Sequence, residues 1–401
     1  MTKFIFFFIL FIKILIGQDT VRVVSYNILN YDGTDRSRHL RLVTSQLNAD
    51  VLVVQEMISQ SGVDSFKISV LENKYETIPF INGTDTDNHV FYNNNKFSFI
   101  GDGYISTSLR NVAIYILRLK STNELIYFFS AHLKASSGED NEARRLEEAT
   151  SIRNYLNQLQ STTNYMLLGD LNLYYSGEPA YQKLIEEDEY NGRLYDPIDT
   201  PGSWHNNFSY TNIHTQSTRT QELPDGGSTG GLDDRFDFIL ISETLLDNFF
   251  SGSYTAFGND GNHFNVSINN GVNSSVSNDV ADALFYASDH LPVICEFIFE
   301  TATSLDTPEI HNPKIFKLYP NFPNPFNGQT TLNFYLPQKG MVKIKLFNAA
   351  GSFIKTLSDA DMPAGKNTIA INLNNLASGI YYYNLEYLNR LSATGKLLLL
   401  K

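Results

Sequence analysis

Acidic, amide and imidazole residues follow apolar runs at several points of the chain, where strands of a sheet present functional side chains. They are Ser25-Tyr26-Asn27, Val53-Val54-Gln55-Glu56, Ser130-Ala131-His132, Leu168-Gly169-Asp170-Leu171-Asn172 and Ala287-Ser288-Asp289-His290-Leu291-Pro292. In Arg235-Phe236-Asp237-Phe238-Ile239 an acid stands inside an apolar strand, and if buried it must be paired or ligate a cation. Singly each has an ordinary reading, because a carboxylate or asparagine at a strand end also caps a helix or closes a turn. Together they define a chemistry. Carboxylates and amides without thiolates suit a hard, oxygen-preferring ion, Mg²⁺, Mn²⁺ or Ca²⁺. Such an ion polarises an oxyanion, a carboxylate activates water, and an imidazole steadied by an acid stays cationic to higher pH. Asp170 and Asn172 are spaced at period two and so share a face, with Gly169 letting the backbone bend before them.

The elements that must position these residues show as alternating apolar runs and helical patterns. Strands are expected at Val21 to Tyr26, Val51 to Gln55, Val112 to Leu119, Leu125 to Ala131 and Tyr165 to Leu168. Helices are expected from Arg38 to Leu47 and, charged and amphipathic, from Glu139 to Leu159. Strands follow one another without helices from Val90 to Ala131, which predicts packed mixed sheets in place of a doubly wound parallel sheet. Pro201 to Leu232 and Gly252 to Asp282 are rich in Gly, Asn, Ser and Thr without apolar period, and read as surface loops that shape a substrate groove. The single cysteine, Cys295, excludes an internal disulfide and a thiolate zinc site, and its apolar run marks it as a small buried hydrophobe.

In this order the motifs resemble the endonuclease/exonuclease/phosphatase superfamily, over residues 20 to 300. The resemblance implies a four-layer α/β sandwich of the DNase I type with mixed sheets, acting as a metal-dependent phosphoric ester hydrolase. By it Asn27 places phosphate and metal, Glu56 is the principal Mg²⁺ ligand, and Asp289 is a further metal or imidazole partner. Asp170 orients or deprotonates the attacking water, and Asn172 binds the phosphate. His290 faces the phosphate, Asp237 orients an imidazole, and His132 stands near the leaving group. Arg110 matches loosely the arginine beside the scissile phosphate. One or two metal ions both fit. A nuclease acting on extracellular DNA or RNA leads the substrate readings. A phosphatase, a sphingomyelinase-like lipid phosphodiesterase and a non-catalytic surface-binding protein are the alternatives, and Phe249-Phe250 and Phe285-Tyr286 are the aromatic pairs a lipid surface would need.

The 401 residues exceed one usual hydrophobic core and divide by composition. Residues 1–18, with Lys3 ahead of an apolar run from Phe4 to Ile16, read as a signal peptide too short for a comfortable membrane span of about 20 residues. Residues 19–300 hold 18 Lys and Arg against 38 Asp and Glu, a net of −20, so a polyanionic substrate would need local cations or a metal. Arg110, His214 and Arg219 are the candidate cations. Residues 301–315 read as a linker. Residues 301–401 carry a net of +5, and residues 316–401 carry alternating strands with turns at Ala350-Gly351 and Ala364-Gly365 and predict a small all-β, immunoglobulin-like sandwich. Tyr319-Pro320-Asn321-Phe322-Pro323-Asn324-Pro325-Phe326-Asn327, Leu376-Ala377-Ser378-Gly379-Ile380-Tyr381 and Gly395-Lys396-Leu397 resemble the type A C-terminal sorting domain of the type IX secretion system. That resemblance implies type IX secretion machinery as a partner, and a secreted or cell-surface protein that crosses the periplasm and the outer membrane.

Overall fold

Apolar alternation builds two large sheets in the computed structural model, which describes residues 17–33, 36–83, 85–301, 316–336, 339–349, 351–388 and 391–401. The expected signal peptide, apart from Gly17 and Gln18, and the expected linker beyond Thr301 lie outside the described residues. The chain divides into two compact units, Met1–Asp306 and Thr307–Lys401.

In the first unit one six-stranded sheet runs β11 (Thr255–Ala256), β12 (Val293–Thr301), β1 (Gly17–Tyr31), β2 (Val51–Met57), β4 (Asp87–Tyr92), β3 (Glu76–Thr77). The other runs β5 (Phe97–Ile105), β6 (Val112–Leu119), β7 (Leu125–His132), β8 (Asn164–Asp170), β10 (Asp237–Ser242), β9 (Leu194–Tyr195). β1 and β2 pair in parallel, as do β7 and β8, while β12 on β1 and β10 on β8 are antiparallel, so both sheets are mixed as expected. Val21, Val23, Val51, Val53 and Val90 of the first sheet pack face to face with Leu117, Phe128, Met166, Leu168 and Ile239 of the second. Each such buried side chain contributes roughly 1.5–3 kcal/mol.

The opposite faces are covered by helices. Val24, Tyr26, Leu52 and Val54 meet Leu40 and Val43 of α1 (Ser37–Leu47), Val63 of α2 (Gln60–Ser65) and Leu284 and Phe285 of α5 (Asn278–Ala287). On the second sheet Phe129 sets its ring against the edge of Tyr155 in α3 (Glu139–Leu156), 5.5 Å between centroids, and α4 (Pro179–Ile185) packs on α3. The result is a four-layer α/β sandwich. Cys295 is buried between the sheets. Among the described residues no helix is long and apolar enough to cross a membrane.

Strand register lines up the polar strand ends. Asn27 stands opposite Gln55 in the β1–β2 pair, His132 opposite Asp170 in β7–β8, and Asp170 opposite Asp237 in β8–β10. Gly169 permits the second alignment. Its φ is +137°, and a Cβ there would lie 1.9 Å from the Ala131 carbonyl oxygen. Gly169→Ala is therefore expected to destabilise the first unit by about 3 kcal/mol or more, from backbone strain and overpacking together, read as the midpoint of urea unfolding.

Pro201 to Leu232 departs from the surface loop expected of it. Trp204, His214, Thr215, Thr218 and Arg219 in this stretch are all buried. The polar groups carry their own partners inward: Arg219 makes a forked ion pair with Asp225 at 2.7 and 3.0 Å, and its carbonyl accepts Gly230 N–H and Gly231 N–H. His214 Nε2 meets the Trp204 carbonyl at 2.9 Å. Arg219 and His214 are thus structural and do not offer charge to a substrate.

The second unit contains a three-stranded sheet, β13 (Lys317–Phe322), β14 (Gln329–Leu336), β17 (Gly365–Asn372), and a four-stranded sheet, β16 (Phe353–Met362), β15 (Gly340–Asn348), β18 (Gly379–Tyr387), β19 (Leu391–Leu399). Every pairing in both is antiparallel. Leu332, Phe334, Val342, Ile344, Leu346, Leu385 and Leu397 form its core, at the alternate positions that the sequence pattern marks. The unit is the expected all-β sandwich.

Candidate active site

Asn27, at the bend of β1, is fully buried and donates from Nδ2 to Glu56 Oε1 at 2.9 Å and to Asp170 Oδ2 at 3.1 Å. Its Oδ1 accepts Leu29 N–H at 3.0 Å, which fixes the amide orientation. Asn27 therefore ties the end of one sheet to the end of the other. Glu56 holds a positive φ of 64° and accepts Asn30 N–H through Oε2 at 2.9 Å. Burial raises its carboxyl above the usual range, partly offset by the Asn27 hydrogen bond.

Asp170 stands at the centre. His132 Nε2 and His290 Nε2 each lie 3.6 Å from its Oδ2, while its Oδ1 accepts Asn172 N–H at 3.1 Å. Burial pushes its carboxyl up to about 7, with Asp237 and Glu56 adding and His290 opposing. Asp237 is fully buried and bonds His290 Nδ1 through Oδ2 at 2.7 Å. Burial alone would lower the His290 pKa, but Asp237, Asp170 and Asp289 outweigh it and hold the imidazole well above its ordinary value. His132 goes the other way: burial, then Arg110 and His290, hold it well below. Two buried imidazoles thus flank one carboxylate, one cationic and one neutral.

Of the remaining residues marked in the sequence, Asn172 points its Nδ2 to the Leu133 carbonyl at 3.3 Å. Asp289 accepts Ser228 N–H through Oδ2 at 2.7 Å and leaves Oδ1 buried without a partner. Arg110 is paired with Asp85, Nε to Oδ2 at 3.0 Å, and approaches the carbonyls of His132 and Leu133 at 3.4 and 3.5 Å. It backs the strand end that bears His132. Phe285 is buried, so the pair Phe285-Tyr286 offers a lipid surface only one ring.

The sequence pattern missed several side chains that shape this site. Thr215 Oγ1 accepts both Phe236 N–H and Asp237 N–H at 3.1 Å, and Ser288 Oγ donates to the Asn27 carbonyl at 2.7 Å. Gln216 Nε2 reaches His290 Nε2 at 2.6 Å. Ser288 lies in a quoted motif, but Thr215 and Gln216 sit in a stretch without apolar period and give no local signal.

The donor set fits a hard divalent cation. Glu56, Asp170 and His132 each bring a ligand atom within 4.8 Å of the others, and Asp289 Oδ1 is an unpartnered buried carboxylate oxygen. Of the set Glu56, Asn27 and Asp289 expected from the sequence, Glu56 stands in this grouping, Asp289 offers its unpartnered Oδ1, and Asn27 donates to Glu56 and Asp170.

The family model for the Endonuclease/Exonuclease/phosphatase family matches residues 24–290, from just before Asn27 to His290 itself. The chain belongs to this family. Membership in the endonuclease/exonuclease/phosphatase family marks the first unit as a phosphoric ester hydrolase by fold. Residues 320–399 match the Secretion system C-terminal sorting domain, which indicates export to the cell surface or beyond. Among solved structures, D. rerio TDP2 complexed with single strand DNA product is similar at 15% identity and a TM-score of 0.48, covering 69% of this chain and 98% of that one. An endonuclease/exonuclease/phosphatase family protein from Bacteroides thetaiotaomicron gives 18% and 0.44, covering 71% and 99%. One from Beutenbergia cavernae gives 14% and 0.42, covering 94% and 100%. No curated protein matches the chain.

Proposed function

We propose that this chain is an exported, Mg²⁺-dependent phosphodiesterase, a nuclease that hydrolyses extracellular DNA or RNA by attack of water on phosphorus. The observation that carries the reading is the convergence of Asn27, Glu56, His132, Asp170 and the Asp237–His290 pair on one point at the ends of both sheets. Residues 1–18 serve as signal peptide, 19–300 as catalytic domain, 301–315 as linker and 316–401 as the sorting domain that engages the type IX secretion machinery.

Asp170, poised near neutrality by burial, takes a proton from the attacking water at its carboxylate. Cationic His290, held by Asp237, offers Nε2–H to the phosphoryl oxygens as negative charge grows on them. Asn172 lends an amide donor, Asn27 orients Glu56 and Asp170 with both of its amide hydrogens, and neutral His132 contributes ring hydrogen bonding on the leaving side. Glu56, with Asp170 and Asp289, would hold a divalent ion, which would supply polarisation of the phosphoryl oxygen and neutralise developing charge.

One observation favours a small phosphoester over a polyanion. Arg219 and His214 are locked in the interior and Arg110 is paired with Asp85, so the net of −20 over residues 19–300 has little local cationic relief. Hydrolysis of plasmid DNA, RNA, bis-p-nitrophenyl phosphate and sphingomyelin by the full chain, with Mg²⁺ and with EDTA, separates these substrates. A nuclease is expected to cleave plasmid with a KM that rises more than about tenfold between roughly 50 and 200 mM salt. Turnover of the small diester alone, with a flat salt response, would replace the nuclease by the second reading.

A further inference from the structure

His290 has one ring nitrogen committed to Asp237, and the other, Nε2, is met by the side-chain amide of Gln216 at 2.6 Å. The same amide lies 3.4 Å from Asp289 Oδ2. Gln216 thus inserts a neutral amide between an imidazole and a carboxylate that both face the reacting centre. Its backbone is pinned there. Gln216 N–H donates to the Asp234 carbonyl at 3.1 Å, its own carbonyl accepts Asp233 N–H and Asp234 N–H at 2.9 Å, and it forms bridges to both Asp234 and His290. Its neighbours Thr215 and Ser217 are buried, whereas Gln216 keeps a partly open side chain.

A ring that donates from Nε2 is met by the amide oxygen, which leaves the amide N–H₂ for an anionic oxygen. From this arrangement we infer that Gln216 is a catalytic residue of the phosphoester site: its amide donates to a non-bridging phosphoryl oxygen and holds the His290 ring in place. The inference rests on the phosphodiesterase reading and adds a contact to it. An uncharged donor suits this position. An acid there would repel the phosphate.

The test is steady-state hydrolysis of bis-p-nitrophenyl phosphate by the full chain with Mg²⁺, for wild type, Gln216→Ala and Gln216→Glu, with thermal midpoints recorded for each. Gln216→Ala is expected to lower kcat/KM by about 10- to 100-fold with little change in midpoint. Gln216→Glu keeps the size and can still meet His290, yet places an anion against the substrate, so its kcat/KM is expected to fall at least as far, with a raised KM. Wild-type kinetics in the alanine variant would overturn the inference. So would near wild-type kinetics in the glutamate variant, which would make Gln216 only a prop for His290. A wild-type chain inert towards this diester and towards plasmid DNA would overturn the phosphodiesterase reading, and the inference with it.

Discussion

His290→Ala is expected to lower kcat for phosphodiester hydrolysis by about a thousandfold or more, measured with bis-p-nitrophenyl phosphate at saturating Mg²⁺. The magnitude follows from what the ring does. It is the cation nearest Asp170, it is oriented by a 2.7 Å bond to Asp237, and no other described imidazole near Asp170 is held in the charged form. Asp237→Asn keeps the shape but removes the anion that holds the ring charged, and is expected to cost about a hundredfold. The double variant should be little worse than His290→Ala, because the two side chains act as one unit. Stability should respond too. Asp237 Oδ1 already lacks a partner, and without His290 two buried carboxylates face each other unneutralised. Loss of the cation is expected to destabilise the first unit by about 3–5 kcal/mol at neutral pH. The sign is checkable: removal of His290 raises the folded-state pKa of Asp170 further, so the deficit should be small below about pH 4 and grow as pH rises through neutrality.

Addition of Mg²⁺ is expected to raise the thermal midpoint by several degrees at pH 8 and by much less at pH 5.5, while EDTA abolishes activity. Burial holds the Asp170 carboxyl up at about 7 and raises that of Glu56, so both protonate in the folded chain before they would in the unfolded one. Their contribution to stability is full below the unfolded carboxylate range of about pH 4 and is lost as pH rises through the folded value near 7. A cation binds the ionised form and must displace protons at pH 5.5 but not at pH 8. At 100 times its dissociation constant it stabilises by about 2.7 kcal/mol, or roughly 5–10 °C for a domain of this size. A midpoint shift equal at both pH values would place the cation away from Asp170 and Glu56.

Much of this site was legible along the chain because its residues sit at strand ends. Apolar runs mark the strands, and the polar residue that breaks each run is the one the sheet presents. Asn27, Glu56, His132, Asp170, Asp289 and His290 were marked in this way, Asp237 as an acid inside an apolar run, and all lie in the cluster. The helix expected over Glu139 to Leu159 ends at Leu156, where Arg153 and Asn157 turn the chain with side-chain hydrogen bonds that carry no hydrophobic period. Asn27 Oδ1 accepts Leu29 N–H, two residues on, a local turn that spacing alone does not show.

The identities of the clustered polar side chains, the mixed character of the sheets and the separate β-sandwich were determined by the sequence itself, since apolar period and strand-end polarity are local properties of the chain. Distance was decided by the tertiary structure. Asn27 meets Asp170 across 143 positions and Gln216 meets His290 across 74, and such contacts depend on how two sheets stack and how one long loop folds inward. The same inward fold turned Arg219 and His214 from candidate substrate cations into buried supports. A polar side chain in a loop takes its role from whichever remote partner satisfies its hydrogen bonds, and that partner leaves no trace in the residues beside it.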